Sequence, residues 1–181
     1  PEHIGELAKY LKSVIEFGCT INYAVQDDPG GIPDAISAVE SSDDEDVAVI
    51  LGDNIFLGGE LKSKIPFVTL GAHIFVTHHE DSKDFGVVRF DEDGEVEKIV
   101  EKPKDTLPKD VVVTGLYIFS KEVWMDALEV SVSDRGETEI ADLLNLYIAE
   151  KKLSCSLFDG HWQDAGTHEG LRKAAELCRK Y

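Results

Sequence analysis

The chain has 181 residues, of which 43% are hydrophobic and 30% are charged, and 18 Lys and Arg against 36 Asp and Glu give a formal net charge of -18. This composition is typical of a globular protein, and the length fits one domain spanning residues 1–181. The negative charge disfavours nucleic acids and anionic membranes as partners, and no apolar run approaches the ~20 residues that span a bilayer. Three cysteines without metal-ligand spacing, Cys19, Cys155 and Cys178, are typical of reduced thiols in a cytoplasmic protein.

Hydrophobic periodicity predicts a doubly wound α/β arrangement for the first third of the chain. Apolar residues recur at helical spacing from Ile4 to Ile15, the segment Thr20 to Val25 alternates like a strand, and a short helix is predicted from Pro33 to Ser41. The apolar run from Asp46 to Leu51 is typical of a central parallel strand covered on both faces. A strand, a helix and a strand in this order predict a βαβ unit with a right-handed crossover.

Strands dominate the middle of the chain and helices its last third. Alternating or apolar segments predict five strands, at Ala72–His79, Gly86–Asp91, Val96–Glu101, Val111–Phe119 and Leu153–Phe158. Asp93-Gly94 is typical of a hairpin turn, and Gly115 is expected to interrupt its strand. Helices are predicted at Lys121–Leu128, at Glu137–Lys151 and from His168 onward, with a short element at His161–Asp164. Together these elements predict one mixed α/β domain.

Two aspartates each follow a predicted extended segment and lie near a glycine. Asp53 stands in Leu51-Gly52-Asp53-Asn54, and Asp164 stands in Trp162-Gln163-Asp164-Ala165-Gly166-Thr167. Ligands of open α/β sheets bind outside the carboxyl ends of the strands, so each carboxylate is expected to face that crevice. Two such carboxylates are what Mg²⁺ needs when substrate phosphates and waters complete its octahedron. The alternative is that Asp53 only forms a turn and Asp164 only starts a helix, although Thr167 is the better helix cap.

A glutamate and a lysine end another predicted strand, in Val100-Glu101-Lys102-Pro103. A glutamate in this place can accept hydrogen bonds from sugar hydroxyls, and an adjacent lysine can offset the charge of a phosphate. The alternative is a solvated surface pair before a proline turn, which is worth only ~0–1 kcal/mol.

A glutamine precedes a glycine-rich turn near the start of the chain, in Tyr23-Ala24-Val25-Gln26 and then Pro29-Gly30-Gly31-Ile32. The Gln26 amide carries both a donor and an acceptor, so it can pair with the edge of a base, and the glycines let backbone groups approach the same base. A plain turn explains the glycines equally well.

Seven short motifs follow one another along the chain: YAVQ…PGGI, LGDN, FGVV, EKP, VTGLY, RGETEI and WQDAGTH. In this order they resemble the sugar-1-phosphate nucleotidyltransferases, and within that family the enzymes that use dTTP and glucose 1-phosphate. The resemblance runs from about Pro1 to the last helix. It implies a three-layer, Rossmann-like α/β fold with a mixed, mainly parallel central sheet.

The resemblance also implies an activity and a set of roles. The activity is transfer of a nucleotidyl group from dTTP to glucose 1-phosphate with release of pyrophosphate. Asp53 and Asp164 would hold Mg²⁺, and Gln26 with the backbone of Gly31 would recognise thymine. The sugar and its phosphate would contact four matching positions, which are Gly86, Glu101, Val113 and, for the phosphate, Lys102. Phe85 stands where the dTTP-dependent enzymes usually have Tyr, so the identity of the sugar stays open.

A larger departure from the family lies at the start of the chain. Family members begin with a strand and a Gly-rich loop that carries an Arg and a Lys, and this segment is absent before Pro1. The resemblance therefore implies a partial catalytic domain with little turnover, and an opened sheet whose edges favour pairing between copies. Three alternatives remain: a uridylyl- or other sugar-specific relative, a non-catalytic binding or regulatory domain of the same fold, and, more distantly, a metal-dependent glycosyltransferase.

Overall fold

The computed structural model describes residues 4–14, 20–26, 29–39, 45–68 and 70–181. The strands within these ranges are β1 (Val47–Ile50), β2 (Asn54–Leu57), β3 (Ala72–His79), β4 (Gly86–Phe90), β5 (Val96–Glu101), β6 (Asp110–Phe119), β7 (Leu153–Leu157) and β8 (His161–Asp164). The α-helices are α1 (Ile4–Val14), α2 (Ile32–Ser37), α3 (Leu61–Lys64), α4 (Val123–Asp126), α5 (Ile140–Ala149) and α6 (His168–Cys178), and a 3₁₀ turn at Ala127–Glu129 follows α4. The predicted end of the first helix near Gly18 lies outside the described residues.

The main sheet has the strand order β5-β4-β6-β3-β7, and β1 also pairs with β6. The α/β class predicted from the sequence is confirmed. The prediction of a mainly parallel sheet is wrong for the described strands, because β3 with β7 is the one parallel pair among the strands of this sheet and the other pairs are antiparallel. The reason is the connectivity: β4 and β5 form a hairpin, and β6 returns alongside β3 without a helical crossover.

The first third of the chain differs from its prediction. Residues 20–26 form no strand, so the predicted βαβ unit is not formed. Strand β1 pairs antiparallel with β6, with Val47 opposite Phe119, and its side chains alternate between half-buried and exposed. The predicted central parallel strand is therefore wrong, because among the described strands only β6 pairs with β1 and only one of its faces packs on the core. Association of copies through such an edge stays a prediction.

Both faces of β3 are buried. Ala72, Ile74 and Val76 face the larger core, to which helix α5 contributes Leu143, Leu144 and Tyr147. On the opposite face, Phe75 packs with Val68, Leu116 and Ile118. Burying a side chain of this size stabilises the fold by about 1.5–3 kcal/mol, so β3 and β6 form the most strongly held part of the sheet. Gly115 does not interrupt β6, which runs unbroken from Asp110 to Phe119.

A separate two-stranded ladder is formed by β2 and β8. The strands are antiparallel, with Asn54 opposite Asp164 and Leu57 opposite His161. Strand β2 begins one residue after the turn Gly52–Asp53, and helix α6 follows β8 closely. The ladder therefore brings two distant parts of the chain to one place. None of the helices in the described ranges is long and apolar enough to cross a membrane.

Candidate active site

The β2–β8 ladder brings Asp53 and Asp164 together. Leu51 N donates to Gly115 O at 2.9 Å, which attaches the end of β1 to β6, and the chain then turns through Gly52 and Asp53. Ala165 N donates to Asp53 O at 2.7 Å, so the residue after Asp164 is bonded to the backbone of Asp53. This backbone pairing explains why the two carboxylates converge, as the sequence predicts.

Gly166 marks the point at which the two carboxylates meet. A Cβ atom on Gly166 would lie 2.7 Å from Asp53 Oδ2 and 3.2 Å from Asp164 Oδ1, so the glycine leaves this space open. Asp164 Oδ1 also accepts a hydrogen bond from Gly166 N at 2.8 Å, whereas Thr167 caps α6 by accepting from Gly170 N at 3.0 Å. The helix cap is therefore Thr167, as the sequence predicts, and Asp164 is not needed for it.

This donor set fits a hard divalent cation. Carboxylate oxygens are the ligands that Mg²⁺ prefers, and Mg²⁺ is commonly bound through one or two carboxylates plus substrate phosphates. In the part of the chain that the structure describes, no group of three or more His, Cys, Asp or Glu side chains is placed to hold a metal ion. A cation between Asp53 and Asp164 would therefore need ligands from a substrate and from water.

A cavity of about 200 Å³ lies beside this pair, and the residues predicted for the sugar converge on it. Gly86 on β4 is directly opposite Glu101 on β5, and a Cβ atom on Gly86 would lie 3.4 Å from Glu101 Oε2 and 3.8 Å from a methyl group of Val113. Burial raises the pKa of Glu101, although the charges of Lys102 and Arg135 act in the opposite direction. The lining includes Asn54, Phe85, Gly86, Glu101, Val113 and Trp162.

Lys102 and Phe85 are joined through the backbone at the mouth of this cavity. Lys102 N donates to Phe85 O at 3.1 Å, and Lys102 has a φ of 42°, an unfavourable conformation for a residue other than glycine. Such conformations cost of order 1–3 kcal/mol and cluster at functional sites. The Phe85 ring contacts the rings of His79 and Trp162 edge to face, at centroid distances of 4.9 and 5.1 Å. The sequence did not predict this aromatic cluster, because its members lie on three separate elements.

A second cavity, of about 750 Å³, shares Glu101 and Lys102 with the first as lining residues. Gln26 and Gly31 line it as well. Gln26 Nε2 donates to Gly31 O at 3.2 Å and to Asp34 Oδ2 at 2.5 Å, so the donor side of this amide already has partners within the chain. The predicted proximity of Gln26 and Gly31 is present, but both also belong to a local turn.

Arg135, the first residue of the RGETEI motif, lines the larger cavity. Its Nη1 lies 3.4 Å from Glu139 Oε1 and 3.7 Å from Glu101 Oε1. Glu139 in turn accepts a hydrogen bond from Ser133 Oγ at 2.8 Å. Arg135 is thus a cation held beside the candidate sugar site. The RGETEI motif contains Arg135, but the sequence did not predict its contact with Glu101.

Comparison with known proteins gives one family. The model of the nucleotidyl transferase family matches residues 1–180. A glucose-1-phosphate thymidylyltransferase of Neisseria meningitidis is 36% identical over 186 residues, and one of Neisseria gonorrhoeae is 37% identical over the same length. In both cases the match covers 99% of this chain and 64% of the relative, so the chain spans just under two thirds of the length of these relatives.

Solved structures give the same fold. A Bacillus anthracis protein described as a glucose-1-phosphate thymidylyltransferase, in complex with sucrose, superposes with a TM-score of 0.83 at 35% identity, covering 99% of this chain and 74% of that chain. A UDP-glucose pyrophosphorylase complexed with UDP-glucose has a TM-score of 0.74 at 25% identity, covering 90% of this chain and 67% of that chain. The α/β fold of this chain is therefore shared with these solved structures.

Proposed function

Because the chain belongs to the nucleotidyl transferase family, we propose that its activity is the formation of dTDP-glucose and pyrophosphate from dTTP and glucose 1-phosphate, with little turnover by this chain on its own, as the sequence resemblance implies. The observation that carries the proposal is the convergence of Asp53 and Asp164 beside two cavities that share Glu101 and Lys102. A chain with a net charge of -18 can bind two phosphorylated substrates only where local positive charge offsets its field.

The pair Asp53 and Asp164 is proposed as the Mg²⁺ site. When bound there, Mg²⁺ supplies positive charge against the triphosphate and the charge that develops during transfer. The residues' own contribution is to hold their carboxylate oxygens around the open space at Gly166. Both aspartates are then required for Mg²⁺-dependent nucleotide binding, because without them the cation that offsets the charge of the phosphates is not held.

The smaller cavity is proposed as the sugar site. Glu101 accepts hydrogen bonds from sugar hydroxyls, the backbones of Gly86 and Val113 approach the ring, and Phe85 forms the adjoining wall. Lys102 contacts the sugar phosphate. One phosphate oxygen attacks the α-phosphorus of the nucleotide in line, the bond to the β-phosphate oxygen breaks, and pyrophosphate leaves. Alignment and charge stabilisation are the protein's contribution, and no covalent intermediate on the chain is needed.

The larger cavity is proposed as the site of the base, with Gln26 and Gly31 as its polar contacts. The UDP-glucose pyrophosphorylase of the same fold favours a second candidate, a uridylyltransferase. Thymine and uracil differ by one methyl group, which in an apolar pocket is worth only ~1–3 kcal/mol, so the choice depends on packing around that methyl. We also propose a cytoplasmic location, where both phosphorylated substrates are made and used.

Calorimetric titration with dTTP and with dTDP-glucose, each with Mg²⁺, tests the proposal. We expect both to bind, Asp53→Asn and Asp164→Asn to weaken dTTP affinity by about tenfold or more, and Glu101→Gln to weaken dTDP-glucose more than dTTP. Asp93→Asn in the exposed β4–β5 hairpin is the matched control and should change neither affinity. Tighter binding of UDP-glucose would favour the second candidate. Binding of neither nucleotide sugar, or no effect of Asp53→Asn, would favour a non-catalytic domain and overturn the proposal.

A further inference from the structure

We infer that Asn54 is a positioning residue that orients the Asp53 carboxylate toward Asp164. The inference rests on the proposed role of these two aspartates in binding a divalent cation. Its basis is a set of three hydrogen bonds made by one side-chain amide, at the point where β2, β6 and β8 come together.

The three hydrogen bonds connect Asn54 to separate elements. Asn54 Oδ1 accepts from Gly115 N at 2.9 Å on β6 and from Trp162 Nε1 at 2.6 Å on β8. Asn54 Nδ2 donates to Asp53 Oδ1 at 2.9 Å. The same amide thus bonds one candidate metal ligand directly and the strand that carries the other, since Trp162 precedes Asp164 on β8.

The orientation of this amide follows from its partners. A backbone N–H and an indole N–H can only donate, so the amide oxygen must face Gly115 and Trp162. The amide nitrogen then faces Asp53, whose ionised carboxylate can only accept. An amide satisfies both demands at once, whereas an ionised carboxylate in its place has no donor for the bond to Asp53.

Close packing reinforces this arrangement at Gly115. A Cβ atom on Gly115 would lie 2.6 Å from Asn54 Cγ and Oδ1, so the absence of a side chain at Gly115 makes room for the amide. Gly115 is not among the glycines with positive φ, so its backbone does not require glycine. The requirement for glycine in the middle of β6 comes from the approach of Asn54.

The consequence concerns the two oxygens of Asp53. Oδ1 is held by Asn54, and Oδ2 lies 2.7 Å from the Cβ position of Gly166, with Asp164 Oδ1 3.2 Å from the same point. Without the Asn54 bond, the exposed Asp53 side chain would be free to rotate its carboxylate into solvent. Ordering it in advance lowers the entropy cost of forming a cation site.

The test is an electron paramagnetic resonance titration of Mn²⁺ as the probe, in the presence of dTTP. Asn54→Ala removes all three bonds, and Trp162→Phe removes one N–H while keeping the ring that packs on His79 and Phe85. Gly115→Ala displaces the amide without removing it. We expect Mn²⁺ affinity to fall by about tenfold in Asn54→Ala and by about threefold in Trp162→Phe.

The matched control is Asn145→Ala, because this side-chain amide bonds the backbone of Ile99 on β5 and neither Asp53 nor the strand that carries Asp164. It removes a side chain of the same type and should leave Mn²⁺ affinity unchanged. Folding of each variant is checked by thermal unfolding. Wild-type affinity in folded Asn54→Ala and Trp162→Phe would overturn the inference, whereas a wild-type chain that does not bind Mn²⁺ at all would overturn the proposed function.

Discussion

Arg135 Nη1 lies 3.7 Å from Glu101 Oε1, although the two residues belong to different elements and neither sequence motif implied the other. The Glu101 carboxylate is largely buried, and burial raises its pKa, while Lys102 and Arg135 lower it. Arg135 itself is held by Glu139 at 3.4 Å. The charge state of the candidate sugar-binding carboxylate therefore depends on a residue that lines the other cavity.

Replacing Arg135 by Gln is expected to raise the pKa of Glu101 further, because a cation that favours the ionised carboxylate is lost while burial remains. A carboxylate whose pKa in the folded state exceeds its unfolded value stabilises the fold at low pH, and this contribution is lost as pH rises through the folded pKa. Arg135→Gln should therefore make the free energy of unfolding fall more steeply as the pH rises above the ordinary pKa range of glutamate. Carbon-detected NMR titration of the Glu101 carboxyl measures the shift directly.

The control is Arg172→Gln, which removes an ion pair with Glu169 on α6 and should leave the pKa of Glu101 unchanged. A lower pKa of Glu101 in Arg135→Gln would contradict the expectation.

Replacing Gly31 by Ala should destabilise the chain strongly. Gly31 has φ 100° and ψ -179°, a region that is essentially restricted to glycine, and a Cβ there would lie 2.0 Å from Thr138 O. The backbone conformation alone costs about 1–3 kcal/mol, and the clash adds to it. Gly94→Ala is the matched control, because φ is 85° there but nothing lies within 4 Å of a Cβ. Urea unfolding should show a clearly larger decrease in the free energy of unfolding for Gly31→Ala than for Gly94→Ala. Equal decreases would mean that the Thr138 contact has no effect.

Asn145 on α5 protects the edge strand β5. Its side chain accepts from Ile99 N at 2.9 Å and donates to Ile99 O at 2.9 Å, so it replaces the strand that β5 lacks on this side in the described residues. Ile99 is 2% exposed, and a buried group left without a partner costs about 1–3 kcal/mol. Asn145→Ala should lower the free energy of unfolding by about 1–3 kcal/mol for each of the two Ile99 backbone groups that lose their partner. Asn145→Asp keeps the acceptor for Ile99 N and should cost less; the reverse order would contradict this explanation.

His73 should make stability depend on pH. It is 5% exposed, its Nδ1 lies 2.8 Å from Ser154 Oγ, and its Nε2 is buried with no partner among the described residues. Burial lowers its pKa below the ordinary value. Because the unfolded chain then binds the proton more readily, stability is full above a pH of about 6.5 and falls as the pH drops toward the folded pKa.

Urea unfolding between about pH 7.5 and pH 5 measures this effect. His73→Asn should flatten the pH dependence, although it lowers stability at neutral pH by removing buried surface. Val76→Ala, which removes buried surface on the same strand but no titratable group, should lower stability and leave the slope unchanged. A slope as steep in His73→Asn as in the wild type would assign the pH dependence to other groups.

The sequence predicts the bounds of an element when its own residues show which side chains are buried and where the chain turns. Strand β3 was predicted with its observed bounds, and the β4–β5 hairpin follows from Gly94, whose φ of 85° suits the turn. Helix α5 was predicted longer than it is, because Glu139 adopts an extended conformation and Lys151 has a positive φ at the other end. These ends depend on contacts outside the helix.

The candidate site was predictable as a set of residues but not as an arrangement. Asp53, Asp164 and Glu101 stood in motifs at the ends of strands and Gly86 at the start of one, and the structure places them around one cavity and its edge. Arg135, Asn54 and Trp162 were not assigned roles. Their partners are far away in the sequence, and a hydrogen bond between distant residues leaves no local periodicity to detect.

Short-range patterns in the sequence were sufficient to predict the α/β class, most strands and helices, and the acidic residues that follow strands. The reason is that hydrophobic spacing and turn residues depend on the burial of a single element. Strand direction, the exposed edge of β1 and the meeting of Asp53 with Asp164 required the folded chain. Each of these depends on which elements lie side by side, and that choice comes from the packing of β3, β6 and β7 and from the β2–β8 ladder rather than from any one segment.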